Sequence, residues 1–164
     1  MNRDITMKRL PVLAVVLGAL GLLPFLGCTM GIILFPSQVP VPNLVQAIIA
    51  YGAVILAFLG GVHWGLALDP APMVLAPGQA TTDNKRLALG VLPSLIGWAA
   101  LLVPLVSSSL IAIVLLILGF VVTTLAEAEA HRRGTLPGGY MALRWVLSAV
   151  ALLCLVVVLL ARTF

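Results

Sequence analysis

The stretch NLVQAIIAYGAVILAFLGGVHWGLAL, Asn43 to Leu68, decides the fold. It holds about 26 residues and is apolar almost throughout, so at ~1.5 Å rise per residue a helix here spans a hydrocarbon core ~30 Å thick with some tilt. Ala53, Ala57, Gly61 and Gly65 recur at intervals of four and make a stripe of small residues. In lipid, where packing rather than hydrophobicity drives helix association, such a stripe is expected to let a neighbouring backbone come close. At ~100° per residue His63 lies on another face, among Leu56, Leu59 and Ala67. A small-residue seam on one side and an ionisable group on the other predict a central helix with neighbours on both sides.

Composition sets the solvent. The chain has 164 residues, 62% hydrophobic and 9% charged, whereas soluble domains carry about 25% charged residues. Its apolar runs are too many and too long to hide in a core of this size, so lipid must be their solvent. The net charge of +4 sits in short segments between those runs. That is the pattern of topology signals, and nucleic-acid binding is not expected. Cys28 and Cys154 fall inside apolar runs with no CxxC and no nearby His, so they read as small apolar side chains rather than metal ligands.

Outward from the central stretch, the chain reads as five membrane helices in one all-α bundle, about 10–35, 43–68, 87–105, 109–133 and 140–161. Arg3, Lys8 and Arg9 precede the first apolar run, and FLGC at Phe25 to Cys28 superficially resembles a lipoprotein cleavage box. The run continues past Cys28 to a spanning length, which favours a membrane helix. Pro24 should kink it. PSQVPVPN (Pro36 to Asn43) is a Pro-rich connection, with Asn43 as a candidate N-cap. DPAPMVLAPGQATTDNKR (Asp69 to Arg86) reads as the longest loop, irregular because of its Pro and Gly. The fourth run spans only if its helix carries on through AEAEAHRR, where Glu129 and Arg133 are spaced as an i,i+4 pair and Gly134 is a natural stop. Tyr140 and Trp145 flank Arg144 at the start of the fifth.

With five spans, Arg3, Lys8, Arg9, Lys85, Arg86, Arg132, Arg133 and Arg144 share one side and Arg162 alone occupies the other. The positive-inside rule then places the N-terminus in the cytoplasm (or a mitochondrial matrix) and the C-terminus outside. A short N-terminus without an Arg- and Ser-rich amphipathic segment favours the bacterial cytoplasmic (inner) membrane.

The same topology gathers His63, Trp64, Arg86, Glu127 and Arg144 at the inner face. Such a cluster could line a polar pocket for a lipid headgroup, a quinone head or a partner's loop. The competing reading is that charges collect where helices leave the membrane. His63 stands out because it lies about one turn inside the membrane, although a neutral imidazole bonded to a neighbour is weighed against any functional role. Thr123, Glu127 and His131 share a helical face, either as a proton relay or as an ordinary interfacial helix end. No HExxH, GxSxG, paired intramembrane aspartate, phosphate-cradling loop or second haem-ligating histidine at membrane depth occurs. No enzyme, cofactor or metal is therefore expected.

LGALGLLPF (Leu17 to Phe25), YGAVILAFLGGVHWGLAL (Tyr51 to Leu68), RLALGVLPSLIGWAALL (Arg86 to Leu102) and LPGGYMALRWVLSAV (Leu136 to Val150) together resemble the transmembrane protein 69-like family. These are small five-helix membrane proteins, catalogued as domain of unknown function 3429. The second segment is the most specific. Family members are expected to carry a tyrosine directly after an aromatic residue ahead of the fifth helix; here Gly138 and Gly139 precede Tyr140. The resemblance implies a bacterial or mitochondrial inner-membrane protein and brings no activity, substrate or catalytic residue. The expectation is a non-enzymatic accessory, scaffold or assembly component, partnered by the bilayer and by another membrane protein or a second copy of itself. The alternative is a small carrier or a lipid- or quinone-binding protein using the inner-face pocket.

Overall fold

The computed structural model describes residues 12–36, 41–68, 79–132 and 138–164. Every regular element among them is a helix: α1 (Val12–Leu20), α2 (Leu23–Leu34), α3 (Val41–Leu68), α4 (Gln79–Val106), α5 (Ser109–Arg132) and α6 (Gly138–Thr163). Four segments are long and apolar enough to cross a membrane: Val12–Leu34 across α1 and α2, Val41–Val62, Ser109–Glu129 and Met141–Thr163. The apolar part of α4, Gly90–Val106, is shorter.

The first run breaks where Pro24 predicts. Pro24 has no N–H to offer the carbonyl four residues back, so the chain turns at Gly21–Leu22 and helix resumes at Leu23. The turn tightens from an i→i−4 bond at Gly21 to an i→i−3 bond at Leu22, both 3.0 Å. A break at membrane depth leaves carbonyls that water cannot reach. Tyr51 of α3 supplies one donor, its hydroxyl bonding the Gly21 carbonyl at 2.9 Å. Phe25, fully buried beside the break, meets the Tyr51 and Phe120 rings edge-on at 5.2 and 6.2 Å. α2 then runs straight through Cys28, and both cysteines are free thiols.

α3 is the central element, packed against α2, α4 and α5. Its contact with α4 is antiparallel and close enough to exclude side chains. A Cβ on Gly60 would run into the Gly90 backbone, and one on Gly97 would sit 2.9 Å from the Ala53 carbonyl oxygen. Against α5 the helices run parallel with reciprocal seating. Leu116 lies where a Gly52 side chain would go, and Leu56 lies where a Gly119 side chain would go. The core follows from this packing: Ile48, Ile49 and Leu56 of α3, Ala100 of α4, Ile113, Leu116 and Phe120 of α5, and Leu155 and Val158 of α6.

The seam differs from the sequence expectation. Ala53 is buried at it and Ala57 is half-buried, but Gly61 and Gly65 are exposed, with nothing within 4 Å of a Cβ on either. The close approach follows Ala53 and Gly60, seven residues apart, instead of a four-residue stripe. Two antiparallel helices crossing at a shallow angle keep facing each other at the 3.5-residue period, whereas a step of four drifts off the contact face.

Helix ends differ too. α4 begins at Gln79, inside the expected loop, because no Gly or Pro occurs between Gln79 and Leu89 to stop the helix extending back from its apolar part. Asn43 lies within the first turn of α3 instead of capping it, with Pro42 at the second helical position where its missing N–H costs nothing. α5 extends through the AEAEAH segment to Arg132 as its length requires, and the Ser108 hydroxyl accepts from the Leu110 N–H at its start. Arg133 and Gly134 lie outside the described residues.

Gly60→Val should lower stability by about 3 kcal/mol or more, since backbone is what it would meet, while Gly61→Val should change it little. Thermal unfolding of the two purified variants in one detergent checks the contrast.

Candidate functional site

α5 and α6 bring two of the sequence-predicted residues into contact. The Arg144 Nε donates to Glu127 Oε2 at 2.8 Å, and Nη2 donates to Oε1 at 3.1 Å. The side-on, bidentate pair is almost fully buried, with the side chains 7% and 2% exposed. Both residues lie in the end turns of the candidate spans Ser109–Glu129 and Met141–Thr163. Arg144, counted above as an interfacial charge, is thus sequestered, while the adjacent Trp145 is about half exposed. The reason is pairing: a lone carboxylate or guanidinium buried among these helices would be expensive, and planar bidentate geometry satisfies both together.

The other predicted residues sit elsewhere. The Trp64 indole N–H donates to the Leu87 carbonyl of α4 at 3.1 Å, and its ring covers the space that a Gly90 side chain would fill. Trp64 therefore ties α3 to α4. His63 and Arg86 lie on the helical backbones of α3 and α4, but their side chains lie outside what is described. Thr123 is buried on the Glu127 face, yet its hydroxyl donates back to the Gly119 carbonyl of its own helix at 2.8 Å. That bond takes the hydroxyl proton away from the Glu127 carboxylate.

A cleft of about 340 Å³ opens beside Arg144, between α1, α3, α5 and α6. Its walls are apolar: Leu17 and Gly18 from α1, Ile55 and Phe58 from α3, Phe120 from α5 and Leu147 from α6 among them. Arg144 and Ser148 are its polar lining, one helical turn apart on α6. The volume lies within the ~300–1,000 Å³ range of small-molecule pockets. Sequence reasoning missed Ser148 and the cleft. The available signal was the four-residue spacing of Arg144 and Ser148 in an otherwise apolar helix, which puts both on one face. The α1 wall could not be foreseen, because it depends on the turn at Gly21–Leu22.

These features define a multi-pass helical membrane protein with a buried ion pair beside an apolar cleft. The chain belongs to the DUF3429 family, described as a protein of unknown function, whose model matches residues 10–160. It is 33% identical over 150 residues to Transmembrane protein 69 of Xenopus tropicalis, covering 92% of this chain and 54% of that protein. To Transmembrane protein 69 of Mus musculus it is 34% identical over 139 residues, covering 85% and 52%. The chain spans about half the length of these relatives. No solved structure matches it.

Removing one partner of the buried pair leaves the other charge uncompensated, at a cost of about 3–5 kcal/mol. Glu127→Gln and Arg144→Met should each destabilise by that order, and the double variant by less than the sum. Thermal unfolding of all three in one detergent checks this.

Proposed function

We propose that this chain is a non-enzymatic accessory or assembly component of a bacterial cytoplasmic-membrane system, crossing the bilayer five times with its N-terminus inside. The observation that carries the reading is the Glu127–Arg144 pair. Its charges engage each other in a bidentate clamp between α5 and α6, an arrangement suited to holding helices and not to passing protons. Packing through Ala53, Gly60, Gly90 and Gly97 likewise favours a rigid scaffold over a gated path.

Support for the fifth crossing comes from depth rather than length. α4 lies antiparallel to α3, with Gly90 against Gly60 and Gly97 against Ala53. Continued at that register, Val106 comes level with about residue 44. The apolar part of α4 therefore covers nearly the depth of the Val41–Val62 span. Seventeen residues suffice if the segment runs nearly upright, at the low end of the ~17–25 needed. The Lys and Arg distribution supports the orientation.

Affinity purification of the full chain at native level, in mild detergent with mass spectrometry, should return a stoichiometric protein partner. A monomer that turns over or transports a solute would overturn the accessory reading. Alkaline phosphatase fused after Phe164 should be active, because five crossings put the termini on opposite sides; an inactive fusion at normal expression would favour four crossings.

A further inference from the structure

Independently of the accessory reading, we propose that the cleft between α1, α3, α5 and α6 binds one neutral, carbonyl-bearing apolar molecule, its carbonyl oxygen held by Ser148 and Arg144. Ser148 is 3% exposed, and its buried hydroxyl has no hydrogen-bond partner among the described residues. Helical serines usually satisfy themselves on the carbonyl four residues back, as Thr123 and Thr163 do here. Ser148 does not. Thr29 and Thr124 also have buried hydroxyls without a partner, but neither lines the cleft. An unmatched buried hydroxyl costs about 1–3 kcal/mol, and this one lines a cleft large enough for a ligand.

The chemistry of the two polar groups selects the ligand. Glu127 engages Nε and Nη2 of Arg144, which leaves the guanidinium further N–H donors among its five. The Ser148 hydroxyl adds another donor, so the cleft calls for an acceptor. Glu127 neutralises Arg144, so the pair attracts no net negative charge, and burying a phosphate or carboxylate in this apolar slot would cost far more than it gains. A neutral carbonyl fits both conditions. The apolar lining from Leu17, Gly18, Phe25, Ile55, Phe58 and Leu147 suits a ring or hydrocarbon body beyond it. A quinone head and a glycerol ester share this chemistry.

The test uses the full chain in dodecyl maltoside, a detergent without a carbonyl, and native mass spectrometry with three probes: decyl-ubiquinone, dioctanoylglycerol and dodecylphosphocholine. One or both carbonyl probes should form a 1:1 adduct, the better one identifying the source, while dodecylphosphocholine, whose zwitterionic headgroup would bring an ionised phosphate into the cleft, should bind at least tenfold more weakly. Ser148→Ala should weaken the adduct about 3- to 10-fold, the worth of one hydrogen bond. Without ligand it should unfold at the same temperature as the parent or higher, since it removes an unmatched hydroxyl. Ala14→Phe, which adds bulk on the α1 wall, should abolish the adduct. Failure of both carbonyl probes to form an adduct would overturn the proposal, as would unchanged affinity in Ser148→Ala or equal binding of dodecylphosphocholine.

Discussion

The Glu127–Arg144 pair is the buried charge–charge contact that joins α5 to α6. Burying either charge without the other would be costly, so each favours the presence of its partner and the contact between α5 and α6. Together with the packing of Leu155 and Val158, the pair holds the face of α6 on which Ser148 lies one turn further along. It also neutralises the guanidinium, so that Arg144 can line an apolar cleft without demanding an anion.

The other half of the architecture rests on atoms that are missing. α3 approaches α4 where Gly60, Gly90 and Gly97 carry no side chain, and α3 and α5 each seat a leucine over the other's glycine. With no hydrophobic driving force between helices in lipid, such contacts hold the bundle through close packing. The break in the first run belongs to the same logic. Pro24 forces it, the Tyr51 hydroxyl satisfies a carbonyl it releases, and Phe25 fills the space beside it. Because α1 and α2 are separate pieces joined by that turn, α1 forms a wall of the cleft while α2 packs on α3.

Much of this was legible in the sequence. Lipid as solvent, the central role of Asn43–Leu68, the break at Pro24 and the extension of α5 all follow from run length and proline chemistry. The seam was read one residue off, at Gly61 instead of Gly60, because adjacent glycines leave the facing residue undecided and only the partner helix settles it. The start of α4 was misplaced because Asp, Asn and Thr read as loop formers, although nothing among Gln79–Leu89 forbids a helix. In the candidate site, Glu127 and Arg144 were named, but as members of a loose interfacial cluster. Their pairing joins residues on separate helices, and no local pattern encodes it. Ser148 was overlooked for a related reason: a single serine in a membrane helix normally bonds its own backbone.

Charge reversal tests most directly whether the ion pair holds this end of the bundle. Glu127→Arg and Arg144→Glu should each leave two like charges facing each other in the apolar interior, giving aggregated or poorly folded protein. Combining the two reversals should restore a monodisperse, cooperatively unfolding protein, as judged by size-exclusion chromatography and thermal unfolding in one detergent. If either single reversal folds as well as the parent, or if the double reversal recovers nothing over the singles, the two side chains do not constrain each other and α6 is positioned by something else.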